Sequence, residues 1–220
     1  YMAPKTVALA ENTRFLPGEL DNDIMLVDRM LEGVDLVIME AFACSHRSHA
    51  STVGIVSKAK RVCLGAYHQA ELQAIRSFQG LQGSRLAVVG GKKLLTKLPL
   101  VYQMLGQIDT LCLAGGLANT LLHSFGYNLG TSWVEYGQLN AVKELSQRAK
   151  ELHVNLLYPQ DVMVSEDATG QGAVYEVAID QIKPHEQIID IGSKTKNTFI
   201  TAIKQAHSVY WNGPLGRYEC

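Results

Sequence analysis

The stretch "RLAVVGGKKLLTKLPLVYQML", residues 85–105, decides the fold class of this protein. A short apolar run ends in two glycines, and a segment with helical spacing follows them. The same pattern recurs at residues 109–125 and 187–206, and it begins again at residue 207. Continuously apolar strands that alternate with helices are typical of parallel sheets buried on both faces. The repeat therefore predicts a doubly wound α/β fold from about residue 84 onward.

The residues before this region contain fewer strand signals. Residues 5–9 and 34–42 are predicted as strands, and residues 22–33 as a short helix. Two strands are too few for a stable open sheet by themselves. Residues 64–83 have helical periodicity followed by a glycine-rich break, which predicts a helix that connects two lobes. The predicted parts are an incomplete first lobe at 1–63, a connecting helix at 64–83 and a second lobe at 84–220.

Composition narrows the classes of function. Hydrophobic residues make up 47% of the 220 residues, which is enough for a packed core. The formal net charge of −1 gives no reason to expect a nucleic acid or an anionic membrane as partner. No apolar run approaches the roughly 20 residues of a membrane span, and no signal peptide is evident. The four cysteines show no CxxC pair, which predicts free thiols and a reducing, cytoplasmic setting.

The first candidate site is "GGKKLLTK", residues 90–97, in which two glycines follow a predicted strand. Lys93 and Lys97 are four residues apart, so they share one face of the helix that follows. Two ammonium groups at a helix start suit a polyphosphate, and glycine lets the backbone approach a phosphate closely. The alternative is a solvated basic surface that includes Lys92. The motif is not a Walker A loop, because GxxxxGK[ST] is absent.

The second candidate is "SHRSH", residues 45–49, a basic loop after a predicted strand. Arg47 with His46 and His49 beside it suits an anion. An ordinary surface loop is one alternative, and a metal site is another. Arg14 also follows a predicted strand and would join Arg47 if both loops lay at the same edge of the sheet.

The third candidate is "WNGPLGRYE", residues 211–219, where Asn212 and Glu219 bracket a Gly-Pro turn. A carboxylate near a phosphate site often binds the hydroxyl pair of a ribose. The alternative is a plain turn with a surface glutamate.

Taken together and in order, these segments resemble the phosphoglycerate kinase family. The match is collinear and spans nearly all of the chain. The stretches that carry it are "LAENTRFLPGELDND" at 9–23, "VIMEAFACSHRSHASTVGI" at 37–55, "AVVGGKKLLTKL" at 87–98, "LAGGLANTLLHSFGYNLGTSWVE" at 113–135, "IIDIGSKT" at 188–195 and "VYWNGPLGRYE" at 209–219.

The resemblance implies an architecture and an activity. It implies two Rossmann-like lobes, the first of them incomplete here, with phosphoglycerate on the first and Mg-nucleotide on the second. Hinge closure would bring the lobes together for phosphoryl transfer between 1,3-bisphosphoglycerate and ADP in glycolysis. Such a transfer needs positioning and neutralisation of charge more than covalent chemistry.

The resemblance also assigns residues. Arg14 and Lys93 would be catalytic, with Arg14, Arg47 and His46 on the triose phosphate and Lys93 on the transferring phosphoryl group. Lys97 and Asn212 would hold nucleotide phosphates, and Glu219 would bind the ribose. The glycines that would line the nucleotide pocket are Gly90, Gly91, Gly115 and Gly116.

The chain also departs from the family pattern. The sections expected to carry further triose-binding motifs, the closing strands and the Mg²⁺ ligand are not within these 220 residues, so no metal ligand is assigned. Arg217 stands where the pattern has a small apolar residue. Two hypotheses follow from this. The chain is an active phosphoglycerate kinase recorded in part, or it is an inactive relative that binds nucleotide weakly or serves as a structural subunit, with a protein partner covering the first lobe.

Overall fold

The structure is a computed structural model and describes residues 5–80, 83–167 and 172–217. It contains two compact units, Tyr1–Ser77 and Phe78–Cys220. None of the described helices is both long enough and apolar enough to cross a membrane.

The first unit is built on a two-stranded parallel sheet. Its strands are β1 (Val37–Met39) and β2 (Val62–Leu64). Its helices are α1 (Ile24–Leu31), α2 (Ile55–Lys58) and the start of α3 (Ala66–Gly80). The cluster of buried apolar residues in this unit consists of Leu26, Val27 and Ala50. Helix α1 lies within the predicted segment 22–33, and α3 occupies most of the predicted segment 64–83.

Two strand predictions in this unit need correction. Residues 5–9 form no strand, and Val7 and Leu9 are 97% and 100% exposed. An apolar run becomes a strand only when a neighbouring strand takes up its backbone hydrogen bonds. The strand predicted at 34–42 shortens to β1, and Ile38 at its centre is 58% exposed. This strand is therefore buried on one face rather than two.

The second unit contains a four-stranded parallel sheet. Its strands are β3 (Arg85–Val89), β4 (Thr110–Leu113), β5 (Asn155–Leu157) and β9 (Ser208–Asn212), in the order β5-β4-β3-β9. Its helices are α4 (Leu94–Leu105), α5 (Gly115–Ser124), α6 (Leu139–Glu151) and α7 (Ser193–Gln205).

Both faces of this sheet are covered. Ala87 and Val89 belong to the cluster that contains residues of α4, α5 and α6. Leu86 and Val88 alternate with them and belong to a second cluster, which contains Phe199 of α7. Alternate residues of β3 therefore enter two separate cores, as the continuous apolar pattern predicted. The predicted α/β fold is confirmed for this unit.

A second sheet in this unit was not predicted. Strands β6 (Asp161–Ser165), β7 (Val174–Ala178) and β8 (Gln187–Ile191) form an antiparallel sheet in the order β7-β6-β8. The repeat at 187–206 does give a strand followed by a helix, but β8 pairs with β6 and not with the parallel sheet. An apolar run does not specify its partner strand, and the short connection between β6 and β7 suits antiparallel neighbours.

Candidate functional site

A cavity of about 570 Å³ opens in the second unit, where several loops meet. The loop after β3 contributes Gly91, the start of α5 contributes Gly115 and Gly116, and the turn after β9 contributes Pro214. Ligands of open α/β sheets bind outside the carboxyl ends of the strands. This cavity lies at that edge and is of a size that suits a small ligand.

Close backbone packing between these loops depends on glycine. A Cβ atom on Gly90 would collide with the carbonyl oxygen of Pro214. Gly115 has a φ of +60°, and a Cβ there would lie 2.8 Å from the backbone nitrogen of Gly91. The Gly116 N–H donates to the Gly91 carbonyl at 2.9 Å. The glycines therefore bring backbone against backbone at the cavity wall.

Lys97 is held by protein oxygen atoms beside the cavity. Its Nζ donates to the Gly90 carbonyl at 2.6 Å and to Asn212 Oδ1 at 2.7 Å. Burial lowers the pKa of the Lys97 ammonium below its ordinary value. Of the four glycines assigned to the pocket, three line the cavity, namely Gly91, Gly115 and Gly116. Gly90 is buried and does not line it, but its carbonyl binds the Lys97 ammonium.

Lys93 precedes α4 and lines the same cavity with an exposed side chain. Lys92 and Arg217 line it as well, so its ionisable lining residues are all basic among those that the structure describes. The cavity also has apolar lining residues, which include Trp133, Ile188 and Leu215. The arrangement suits an anion that also carries an apolar group.

Glu135 has a role that the sequence did not reveal. Its carboxylate accepts a hydrogen bond from the Leu94 N–H at 3.1 Å, at the start of α4. Its own N–H donates to Thr120 Oγ1, and the Thr120 hydroxyl donates to the Gly116 carbonyl. Glu135 thus ties the starts of α4 and α5 together. It ends the "GTSWVE" stretch of the resemblance, but 41 residues separate it from the helix that it caps.

The remaining predicted residue of this unit is Glu219. It lies outside the residues that the structure describes.

The first unit joins its two basic loops through Glu19. The guanidinium of Arg14 pairs with this fully buried carboxylate. Ser51 donates to the same carboxylate from its backbone N–H at 3.0 Å and from its hydroxyl at 2.6 Å. Burial would raise the pKa of Glu19, but the Ser51 hydrogen bonds and Arg14 outweigh it and hold the pKa below its ordinary value. His46 and Arg47, in the loop before Ser51, are exposed.

The sequence pattern did not identify Glu19 as a site residue. It lies within the quoted stretch 9–23, but nothing in its immediate neighbours indicates that it is buried. Its partner Ser51 is 32 residues away, so only the folded chain brings the pair together.

One further group has the composition of a metal site. Glu166, His185 and Glu186 place a ligand atom each within 4.8 Å of one another. The Glu186 carboxylate, however, already accepts hydrogen bonds from the Tyr175 hydroxyl and the Lys183 N–H, and the Lys183 ammonium lies 3.2 Å away. Because that ammonium repels a cation, we assign the group to structural support and not to metal binding.

Comparison with known proteins gives a single family. The family model "Phosphoglycerate kinase" matches residues 1–220. The phosphoglycerate kinase of Coxiella burnetii is 37% identical over 217 residues, which are 98% of this chain and 56% of that relative. The enzyme of Desulfovibrio desulfuricans is 37% identical over 218 residues, 99% of this chain and 56% of its own length.

Solved structures agree with this result. The Coxiella burnetii phosphoglycerate kinase structure has a TM-score of 0.83, covering 94% of this chain and 54% of that one. The Pyrococcus horikoshii structure has a TM-score of 0.75 at 25% identity, covering 93% and 54% of the two chains. The chain spans about half the length of the curated relatives that it matches.

Proposed function

The chain belongs to the phosphoglycerate kinase family, and from this premise we propose that its cavity binds the nucleotide for phosphoryl transfer between 1,3-bisphosphoglycerate and ADP. Both the nucleotide site and the transfer itself are part of the proposal, because the chain spans about half of its relatives.

The observation that carries the proposal is the setting of Lys97. Its ammonium meets the ends of β3 and β9 through Gly90 and Asn212, next to the glycine backbones of the cavity wall. A phosphate oxygen that replaced one of these acceptors would form a charge-assisted hydrogen bond to a partly desolvated ammonium. We therefore assign Lys97 and Asn212 to the nucleotide phosphates.

Lys93 is assigned to the transferring phosphoryl group. Its side chain is exposed and lines the cavity, so its ammonium can contact the phosphoryl group and stabilise the negative charge that develops there during transfer. On the first unit, Arg14, Arg47 and His46 are assigned to the triose phosphate. Glu19 and Ser51 fix the position of Arg14, which favours a preorganised contact over a mobile one. Glu219 keeps its proposed assignment to the ribose.

No carboxylate lines the cavity among the described residues, because its ionisable lining groups are ammonium and guanidinium groups. We propose that Mg²⁺ enters with the nucleotide and is held by its phosphates. Once bound, it would neutralise part of their charge.

The first unit supports the prediction of a covering partner. Ile38 of β1 and Val62 and Leu64 of β2 are 58%, 38% and 40% exposed. The described cysteines Cys44, Cys63 and Cys112 carry free thiols, which supports the predicted reducing, cytoplasmic setting.

Calorimetric titration with ADP and Mg²⁺ tests the nucleotide site. We expect binding by the unmodified protein and at least about tenfold weaker binding by Lys97→Ala, since a charge-assisted hydrogen bond is lost. Lys143→Ala removes an exposed lysine that lines a different cavity and is the matched control. Absence of ADP binding by the unmodified protein would refute the nucleotide site, and equal binding by Lys97→Ala would refute its role.

Transfer is tested separately with 3-phosphoglycerate and ATP in a coupled assay. Turnover that Lys93→Ala lowers by orders of magnitude supports an active kinase. Nucleotide binding without turnover supports the alternative, an inactive relative or structural subunit.

A further inference from the structure

We infer that Glu135 is a positioning residue for Lys93, and that the cavity binds a nucleoside triphosphate more tightly because of it. Glu135 does not line the cavity, so it acts through the backbone at the start of α4. The inference rests on the proposed function, which assigns Lys93 to the transferring phosphoryl group, the terminal phosphate of ATP. It adds the residue that holds Lys93 in place for that phosphate.

Lys93 lies at the junction between a loop and a helix. It comes directly before α4, with a φ of −87° and a ψ of 88°, and its side chain makes no capping hydrogen bond to the helix. Its backbone angles are therefore not set by the helical repeat. Leu94, the next residue, is buried and begins α4. The peptide group between the two residues thus helps to decide the direction in which the Lys93 side chain leaves the backbone.

The Glu135 carboxylate binds that peptide group. It accepts a hydrogen bond from the Leu94 N–H at 3.1 Å. Because a peptide group is planar, this bond also constrains the Lys93 carbonyl, and with it the ψ angle of Lys93. Among the described residues, Glu135 and Lys93 form no ion pair. The carboxylate therefore holds the backbone and leaves the Lys93 ammonium for a ligand.

Glu135 is itself anchored on α5. Its N–H donates to Thr120 Oγ1 at 3.1 Å, and the side-chain amide of Asn119 donates to the Trp133 carbonyl at 3.3 Å. Thr120 is fully buried, and Asn119 is 6% exposed. Two buried side chains of one helix therefore hold the backbone that carries Glu135, and its carboxylate reaches α4 from a fixed position.

The loop before Lys93 is also fixed to α5. The Gly116 N–H donates to the Gly91 carbonyl at 2.9 Å. Lys93 thus lies between this bond and the one that Glu135 accepts from Leu94. Ordering a free backbone costs free energy when a ligand binds. A phosphate that contacts Lys93 meets a loop that is already ordered at both ends, so this cost is reduced.

ATP and ADP, each with Mg²⁺, are the probes, and the ratio of their dissociation constants from calorimetry is the readout. Lys93→Ala should weaken ATP binding about tenfold and change ADP binding little, because only ATP has the terminal phosphate. Glu135→Ala should weaken ATP binding about fivefold, again with little effect on ADP, because binding must then order a backbone that was fixed before. A general loosening of the fold would weaken both nucleotides alike.

Further variants separate positioning from other roles. Glu135→Gln keeps an acceptor oxygen and should retain the ATP binding of the unmodified protein. In the Lys93→Ala background, Glu135→Ala should have no additional effect, since the side chain that it positions is absent. Glu144→Ala removes an exposed glutamate of α6 and should leave the binding of both nucleotides unchanged.

Thermal unfolding shows whether each variant keeps its fold. If Glu135→Ala is too unstable to measure, Glu135→Asp takes its place. It keeps the charge but retracts the carboxylate by one methylene group, and it should change the ratio of the two dissociation constants in the same direction.

Three results would overturn the inference. Glu135→Ala with unchanged ATP binding, or with equal losses for ATP and ADP, would leave the nucleotide site standing without this role for Glu135. Additive losses in the double variant would show that Glu135 acts independently of Lys93. If the unmodified protein binds neither nucleotide, the proposed function and the inference both fail.

Discussion

At the scale of single residues, the two proposed sites use charged groups in opposite ways. Lys97 is satisfied by neutral oxygen acceptors and keeps its charge for a ligand. Glu19 is fully buried and is satisfied by an arginine and a serine of its own unit. A buried carboxylate of this kind stabilises the fold only while it is ionised.

Glu19 therefore makes the first unit sensitive to acid. Its folded-state pKa lies below the ordinary glutamate value, so its contribution to stability is full above that ordinary value and is lost as pH falls through the folded pKa. We expect Glu19→Gln to lower the free energy of unfolding by about 1–3 kcal/mol near neutral pH, because its buried partners lose a charged acceptor.

Hydrogen exchange of peptides from residues 5–77, followed from neutral pH to about pH 3, measures this effect. The difference between the native protein and Glu19→Gln should shrink as the pH falls. Glu71→Gln, an exposed glutamate in the same unit, is the control. A difference that stays constant across this pH range would contradict the assignment.

At the scale of elements, the cavity wall depends on glycines that let the backbones of neighbouring loops come into direct contact. The Gly90 N–H donates to the Asn212 carbonyl at 2.9 Å, which joins the ends of β3 and β9. A similar connection fixes the start of α7, where Asp161 of β6 accepts from the Lys194 and Thr195 N–H groups at 2.7 Å. Both arrangements link the end of a strand to the element beside it.

Gly90→Ala tests the first of these connections. Its methyl group would collide with the carbonyl oxygen of Pro214, which belongs to backbone and cannot rotate away. We expect a loss of at least about 2 kcal/mol in the free energy of unfolding, together with weaker ligand binding.

Gly106→Ala is the matched control. Gly106 ends α4 with a φ of −77°, and a Cβ there would meet nothing within 4 Å. Urea denaturation should place this variant within about 0.5 kcal/mol of the native protein. If both glycine variants were equally stable, the close approach at Gly90 would not matter for the fold.

At the scale of the whole molecule, the two units differ in how much apolar surface they bury. Among the residues that the structure describes, the second unit holds three clusters of buried apolar residues, and the first holds one small cluster. Because burial of apolar area is the main favourable term in folding, we expect the first unit to unfold at a lower urea concentration.

Spectroscopy separates the two units, because both tryptophans, Trp133 and Trp211, lie in the second. We expect circular dichroism to show an early loss of helix that tryptophan fluorescence does not report. Coincident transitions by the two probes would show that the units unfold together.

The sequence by itself determined the α/β class, the repeated order of strand, glycine and helix, and the family. These follow from local periodicity and from collinear motifs, which are present in the chain before it folds. Lys93 and Lys97 both line the cavity that the glycine-rich turns form, but Lys93 precedes α4, so the prediction that the two share a helix face was wrong.

Only the tertiary structure decided which strands pair and which groups meet. It formed no strand at residues 5–9 and placed β8 in an antiparallel sheet. It joined Glu19 to Ser51 and brought Glu135 to the start of α4. It also gathered Lys92 and Arg217, which are far apart in sequence, around one cavity. The reason is physical, since strand pairing and buried charge depend on partners that are distant along the chain, and local pattern carries no information about them.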